Sequence, residues 1–307
     1  KFKKRKNMEK GGRMEEREVG EALYSWDDIL GYEDVKEEAK RIAKGDDNIL
    51  LVGESGVGKR LFASALHNES ERKKKPFVVI EVPSIQSTLF ESEIFGHRKG
   101  AFTDAKDDRA GLIEIANFGS VFLDEIGDLS PECQVKILRV AEEKKVRRIG
   151  ENIERFVDVR FIFATNKDLW NETRIGRFRE DLLHRIERFV LHIPPLRERK
   201  GDIPEIAQGL WRKILKENGS GQIDALYDNE IEILLGYEFP GNTRQLENIL
   251  SRVYHFWKEF PELSRIEIIK KEIERAKERW EGKEESVWHS KRTVSYTHLT
   301  LPTNREV

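Results

Sequence analysis

A glycine-rich segment between a short apolar run and a helical pattern carries the clearest chemistry in this sequence. The run Ile49–Val52 has the length and β-branched content of a strand, and Leu61–Leu66 has a helical pattern. Glycines let backbone N–H groups turn toward phosphate oxygens, and a lysine at the start of the next helix reaches the outer phosphates of a nucleotide. We therefore predict a phosphate-binding loop for ATP, with a chance glycine turn as the alternative. Its residues are Gly53, Glu54, Ser55, Gly56, Val57, Gly58, Lys59 and Arg60.

Two further apolar runs end in polar residues that suit the same chemistry. Val121–Leu123 is followed by Asp124 and Glu125, as in a buried parallel strand whose carboxyl end meets a ligand. We predict that Asp124 orients Mg2+ and that Glu125 polarises the attacking water. Asn166 follows the run Arg160–Thr165, and we predict that it senses the γ-phosphate or positions water. An asparagine in an ordinary strand-end turn is the alternative.

The segment that says most about function follows the polar run Phe95–Lys99 and consists of Gly100, Ala101, Phe102, Thr103, Asp104 and Ala105. It resembles the loop with which sigma-54-dependent transcriptional activators (bacterial enhancer-binding proteins), a family of AAA+ ATPases, grip their sigma factor. The family has glycine at the position of Asp104. Aspartate is more polar and less free to adopt a positive φ, so we expect weakened or retuned contact. The alternative is that Phe102 is a core residue of a hairpin.

The resemblance extends in family order from Trp26 to about Leu246 and implies further roles. The segment Phe178–Arg185 is similar to the arginine-finger segment, which makes Arg179 and Arg185 candidates to act on a neighbouring subunit's nucleotide. Arg244 matches the second sensor of the lid, and the backbone from Ile29 to Gly31 would flank the adenine. Surface ion pairs for the arginines, and plain core packing for Ile29, are the alternatives.

Two positions depart from the general pattern. Arg60 stands where a P-loop usually has a Ser or Thr that holds magnesium, so we expect magnesium to be held from elsewhere, through water. Glu81 stands where the family has an asparagine that restrains the catalytic glutamate. A carboxylate facing Glu125 would repel it unless a proton or a cation intervened, so we expect altered coupling between partner binding and hydrolysis.

The fold class that we predict is α/β: a P-loop AAA+ doubly wound parallel sheet with a C-terminal all-helical lid. We expect a charged linker at 1–22, the nucleotide-binding subdomain at 23–195, the lid at 196–282 and a tail at 283–307. From about residue 294 the tail resembles a translated sequencing adapter. We therefore expect that part to be non-biological and the natural gene to continue.

The bulk composition narrows the classes of function. The 307 residues include 55 Lys and Arg against 57 Asp and Glu, a net charge of -2, which does not indicate a strongly basic nucleic-acid-binding domain. Cys133 is the only cysteine, so an intramolecular disulfide is excluded. The sequence shows no signal peptide and no apolar run long enough to span a membrane, and we expect a cytoplasmic protein without membrane contact.

The function that we predict is an ATPase that remodels sigma-54 RNA polymerase to activate transcription. The resemblance implies sigma-54 factor and RNA polymerase as partners and a homo-oligomeric ring, typically a hexamer. DNA binding is expected only through a domain that is not present in this chain. Two alternatives stay open: an AAA+ remodeller of another protein target, and a nucleotide-gated scaffold without enzymatic activity.

Overall fold

The computed structural model describes residues 19–20, 22–85, 87–219 and 224–280. The strands of these residues are β1 Val19–Gly20, β2 Ile49–Val52, β3 Phe77–Glu81, β4 Gly96–His97, β5 Arg109–Ala110, β6 Ser120–Asp124, β7 Lys145–Arg147, β8 Glu154–Phe156, β9 Arg160–Thr165 and β10 Val190–His192. The α-helices are α1 Glu33–Ala43, α2 Lys59–Glu69, α3 Ser87–Phe95, α4 Leu112–Ile115, α5 Pro131–Glu143, α6 Leu169–Arg174, α7 Glu180–Ile186, α8 Ile203–Glu217, α9 Asp228–Leu235, α10 Asn242–Glu259 and α11 Arg265–Trp280. Short 3₁₀ turns are Trp26–Asp28, Val82–Ser84, Ile126–Asp128, Leu196–Glu198 and Lys200–Asp202.

A six-stranded sheet with the spatial order β1-β3-β6-β9-β2-β10 organises the N-terminal part of the chain. β1 is antiparallel to β3, and the remaining strands are parallel to their neighbours. The apolar runs of β2, β6 and β9 are buried along nearly their whole length, as expected where helices cover both faces of a parallel sheet. The sheet and the helices that follow it confirm the predicted doubly wound α/β fold with a C-terminal helical unit.

The strand order decides where the polar strand-end residues meet. β2 lies between β9 and β10, and β6 lies between β3 and β9. In this register Val52 is opposite Thr165, and Glu81 is opposite Asp124. The residues that follow β2, β6 and β9 therefore share one edge of the sheet, which is where parallel α/β sheets bind their ligands.

Both faces of the sheet are covered by apolar helix surfaces. On one face α1 and α2 contribute a core that includes Phe62 and Leu66, both fully buried. On the other face α5 and α7 contribute Ile137 and Leu182, also fully buried. Removing this apolar surface from water is the main stabilising contribution to the fold and fixes the sheet edge between two rigid layers.

Helices α8 to α11 form a separate core around Trp211, which is fully buried. The Trp211 indole N–H donates to the carbonyl of Asp224 at 2.7 Å. Arg265 and Glu230 form a nearly buried ion pair at 2.8 Å, so neither charge is left uncompensated in the core. None of the helices in the described residues is long and apolar enough to cross a membrane.

Two short hairpins extend from the sheet domain. β4 pairs with β5 and carries the segment 98–108, and β7 pairs with β8. Ile149 joins the two hairpins, because its N–H donates to the Gly96 carbonyl at 2.9 Å and its carbonyl accepts from the Arg98 N–H at 3.0 Å. The base of the segment 98–108 is thus tied to a neighbouring element.

We predict that His67, on α2, makes stability fall in mild acid. Its side chain is fully buried and Nδ1 lies 2.9 Å from the Ser120 hydroxyl. Burial lowers the pKa of His67 to about 4, from an ordinary value of 6.5. The unfolded chain therefore binds the extra proton first, and up to about 3 kcal/mol of unfolding free energy is lost as the pH falls from 6.5 to 4.

The measurement is urea unfolding between pH 4 and 7.5 for wild type and His67→Gln, with His255→Gln as the control at an exposed histidine. We expect the pH slope to flatten in His67→Gln and to stay unchanged in the control. An identical slope in wild type and His67→Gln would show that folding does not lower the pKa of His67.

Candidate nucleotide site

The loop between β2 and α2 has the backbone that phosphate binding requires. Gly56 and Gly58 adopt left-handed conformations with φ of 83° and 99°, which glycine accepts without strain. A Cβ on Gly56 would lie 2.4 Å from the Gly241 carbonyl, so the loop also needs glycine for close contact. The loop opens directly into the first turn of α2, where free backbone N–H groups attract anions.

Lys59 lies at the start of α2 with its side chain 6% exposed. Its Nζ donates to the Gly53 carbonyl at 2.8 Å and lies 3.2 Å from Glu125 Oε1. The ammonium group is therefore held between the phosphate loop and the carboxylate that follows β6. That is the position from which it can reach both a bound phosphate and the group that would activate water.

Glu125 turns toward Lys59 because its own backbone is left-handed, with φ of 57°. Its second carboxylate oxygen accepts the backbone N–H of Asn166 at 2.9 Å. The three strand ends β2, β6 and β9 are thus joined through one carboxylate. Asn166 contributes its backbone to this contact, while the residue also lines the cavity beside the phosphate loop, where we expect its side chain to act.

Asp124, the last residue of β6, is the residue that we expect to hold a metal ion. Burial raises the pKa of Asp124, the negative charge of Glu125 raises it further, and the Lys59 ammonium opposes the shift. A carboxylate in such surroundings is stabilised by a nearby cation. Magnesium is commonly held by one or two carboxylates together with nucleotide phosphates, so Asp124 beside this loop fits Mg2+ with ATP.

Arg60 pairs with the other residue that departs from the family pattern. Arg60 Nη1 lies 2.7 Å from Glu81 Oε1. We expected Glu81 to repel Glu125 unless a proton or a cation intervened, and Arg60 brings a cation to the carboxylate of Glu81. The two departures from the pattern are therefore in contact with each other.

The helical unit contacts the phosphate loop through α10 and the turn at Leu196–Glu198. The backbone N–H of Arg244 lies 3.4 Å from the Gly56 carbonyl, and its Nη1 lies 3.4 Å from the Ser55 hydroxyl. Arg197 makes a two-point contact with the carboxylate of Glu54 at 2.6 and 2.9 Å, which lowers the pKa of Glu54. Asn242 Nδ2 donates to the same carboxylate at 3.0 Å.

A cavity of about 700 Å³ lies between the loop and the helical unit. Part of its wall is basic, and its charged lining residues include Arg197, Arg244, Arg252 and Arg279. A cavity of this size next to a phosphate loop suits an anionic ligand. The structure thus brings Arg244, predicted as a sensor, to the loop that it would monitor.

The entry segment is attached to the phosphate loop by a residue that the sequence did not single out. Tyr32 donates its hydroxyl to the Val57 carbonyl at 2.6 Å, and burial raises the pKa of Tyr32 to about 12. Its backbone N–H donates to Asp202, and the Arg199 guanidinium stacks on its ring at 3.3 Å. Ile29 is buried in the adjacent core and Gly31 has φ of 69°, so both positions where we expected adenine contacts lie beside this linkage.

Arg179 and Arg185 lie at the two ends of α7. Arg179 is half exposed and pairs with Asp181 at 2.6 Å, whereas Arg185 donates from Nη2 to the Ala141 carbonyl at 2.9 Å. Within the part of the chain that the structure describes, neither side chain forms a hydrogen bond or an ion pair with Lys59 or Glu125. The structure does not bring these arginines together with the rest of the site of the same chain.

Phe102 is at the tip of the hairpin segment and is not a core residue. It is 38% exposed, and its ring packs edge-on against His97 with 5.0 Å between centroids. Backbone bonds from Gly100 to Ala105 and from Ala105 to Phe102 close the loop at 2.8 and 3.0 Å, and Ala105 is buried. The positive φ in this loop belongs to Gly100, at 80°, so Asp104 is not strained by its backbone.

Sheet, phosphate loop and helical unit together define a nucleotide-binding domain of the AAA+ ATPase class. The chain matches the model of the Sigma-54 interaction domain over residues 30–192 and that of the AAA+ ATPase lid domain over residues 197–285. It therefore belongs to the sigma-54 interaction domain family.

Similar proteins include the Nif-specific regulatory protein of Azotobacter vinelandii, which is 46% identical over 71% of this chain and 41% of its own length. The response regulator protein PilR of Pseudomonas aeruginosa is 44% identical over 70% of this chain and 48% of its length. The chain thus spans less than half of these relatives. NtrX of Brucella abortus, solved with ATP, is 30% identical with a TM-score of 0.73 over 81% of this chain and 55% of that one. A Thermotoga maritima RuvB variant, 17% identical with a TM-score of 0.55, shares the fold.

We predict that Tyr32→Phe weakens both stability and nucleotide binding. The ring contact with Phe62 is kept, but the carbonyl of Val57 in the phosphate loop loses its buried donor. A buried acceptor without a partner costs about 1–3 kcal/mol. We expect a lower melting temperature and weaker binding of a fluorescent ADP analogue, while Tyr24→Phe, at an exposed ring, changes neither. Unchanged binding of the ADP analogue by Tyr32→Phe would contradict the prediction, because it would show that the hydroxyl of Tyr32 is not needed for the shape of the phosphate loop.

Proposed function

We propose that this chain is the ATP-hydrolysing, sigma-54-contacting part of a transcriptional activator that remodels sigma-54 RNA polymerase. The observation that carries the proposal is the contact of Lys59 and the Asn166 backbone with the two oxygens of Glu125. It joins the phosphate loop, the water-activating carboxylate and a sensor position at one edge of the sheet. Membership of the family supports sigma-54 as the partner.

In the proposed reaction the loop amides and Lys59 bind the phosphates, and Arg244 monitors them from the lid. Magnesium, when bound, would neutralise phosphate charge, and Asp124 is the residue that would hold it. Glu125 would orient a water molecule and accept its proton as the water oxygen attacks the γ-phosphorus. The bond from the γ-phosphorus to the β–γ bridging oxygen breaks, and ADP is the leaving group. Tyr32 and Glu54 keep the loop attached to the entry segment and to the lid.

We further propose that the active form is a homo-oligomeric ring, a hexamer, in which Arg179 and Arg185 act on the neighbouring subunit's nucleotide. Arg179 is half exposed, and among the described residues its side chain pairs with Asp181 and not with Lys59 or Glu125, which supports action between subunits. Phe102 and Thr103 would carry the motion to sigma-54. DNA binding would come from a domain not present in this chain, and contact with RNA polymerase would place the protein in the cytoplasm.

The first test measures phosphate release and open-complex formation on a sigma-54 promoter. We expect Phe102→Ala to lose open-complex formation while it still releases phosphate, because Phe102 lies on the exposed loop and not in the nucleotide site. Glu125→Gln should lose both. Phosphate release without any effect on a sigma-54 promoter would favour a remodeller of another protein target. Nucleotide binding without phosphate release would favour a scaffold.

The second test asks whether Arg179 acts between subunits. Arg179→Ala and Glu125→Gln should each be inactive, since an arginine finger contributes on the order of a thousandfold or more to the rate. Mixing the two proteins should restore part of the phosphate release, because an intact Glu125 then faces an intact Arg179. A mixture of Lys59→Ala and Glu125→Gln is the control and should stay inactive. Failure of the first mixture to recover would place Arg179 in its own subunit's site or outside the reaction.

A further inference from the structure

The edge of the sheet at which β2, β6 and β9 end is called the nucleotide edge. The proposed chemistry uses the carboxylates of Asp124 and Glu125, and a third carboxylate lies at the same edge. Glu81 ends β3 and is opposite Asp124, the last residue of β6. Glu125 follows immediately, so three carboxylates lie at neighbouring strand ends where negatively charged phosphates would bind.

Arg60 is the cation that faces this third carboxylate. It follows Lys59 directly on the first turn of α2, and its guanidinium lies 2.7 Å from Glu81. Lys59 pairs with Glu125 in the same way at 3.2 Å. Two consecutive basic residues of α2 therefore pair with two carboxylates on different strands.

We propose that Arg60 is a positioning residue that holds Glu81 apart from Asp124 and Glu125, and that Arg60 and Glu81 act as one unit in nucleotide binding and turnover. The inference rests on the proposed ATPase function. It follows from formal charge: the two cations Lys59 and Arg60 and the three carboxylates of Glu81, Asp124 and Glu125 leave a net charge of about -1 at these strand ends. Removing one partner changes that balance, whereas removing both restores it.

Loss of Arg60 and loss of Glu81 have different consequences: the first affects ADP binding and the second affects phosphate release. Without Arg60, the released carboxylate of Glu81 repels the phosphates, and ADP binding weakens. Without Glu81, one of the negative charges that face Arg60 is lost, so the guanidinium is drawn more strongly toward Asp124 and Glu125. Capture of Glu125 would slow phosphate release while ADP binding is kept. At separations of several ångströms near a protein surface such a charge changes an equilibrium by about tenfold.

The experiment compares Arg60→Gln, Glu81→Gln and the double variant, using a fluorescent ADP analogue with and without Mg2+ and phosphate release at saturating ATP. We expect Arg60→Gln to bind ADP about tenfold more weakly and Glu81→Gln to release phosphate about tenfold more slowly. The double variant should lie within about threefold of wild type in both assays. Arg60→Lys, which keeps the charge, should retain wild-type binding.

The matched control is the ion pair of Lys213 with Glu247, which also has a 2.7 Å contact and joins α8 to α10. Lys213→Gln, Glu247→Gln and their double should leave both assays unchanged. A double Arg60 and Glu81 variant as defective as the worse single variant overturns the proposal, as do single variants indistinguishable from wild type. Failure of wild type to release phosphate counts against the proposed function instead, and ADP binding still decides whether the pair acts as a unit.

Discussion

The ion pair between Lys59 and Glu125 is the contact on which the nucleotide edge depends. It joins a residue at the start of α2 to a residue after β6, and the same carboxylate accepts the Asn166 N–H after β9. These elements are held in place by the parallel register of β2, β6 and β9, whose side chains are buried on both faces. Because a one-residue slip in any strand would turn its end residue to the other face, the core determines the geometry of the charges.

The phosphate loop is fixed from outside as well as from the sheet. Tyr32 binds the Val57 carbonyl from the entry segment, and Glu54 binds Arg197 and Asn242 from the side of the lid. A loop whose left-handed glycines give it little conformational restraint of its own is therefore held by neighbours on two sides. Any displacement of the lid must act on Glu54 and, through Arg244, on Ser55 and Gly56.

The site residues that follow a strand could be predicted from the sequence. The residues from distant parts of the chain that contact them could not. Asp124 and Glu125 come directly after an apolar run, and Lys59 follows another through the glycine loop, so the doubly wound fold brings them to one edge. The contact of Arg197 with Glu54 joins residues 143 positions apart, and neither residue type nor spacing indicates it. The contact of Tyr32 with the Val57 carbonyl could not be predicted for the same reason, since it depends on the loop that folds against the ring.

Glu81 connects the charges near the phosphate loop to the segment that leads to Phe102. The residue ends β3 and begins the stretch of chain that continues through α3 and β4 to Phe102. Its carboxylate contacts Arg60 on the phosphate-loop helix, and its carbonyl accepts the Ser84 hydroxyl in the turn that follows. At its other end the stretch is tied to Ile149 through Gly96 and Arg98, so it is anchored at both ends. A change in the charge that faces Arg60 would therefore act at the start of the segment that leads to Phe102.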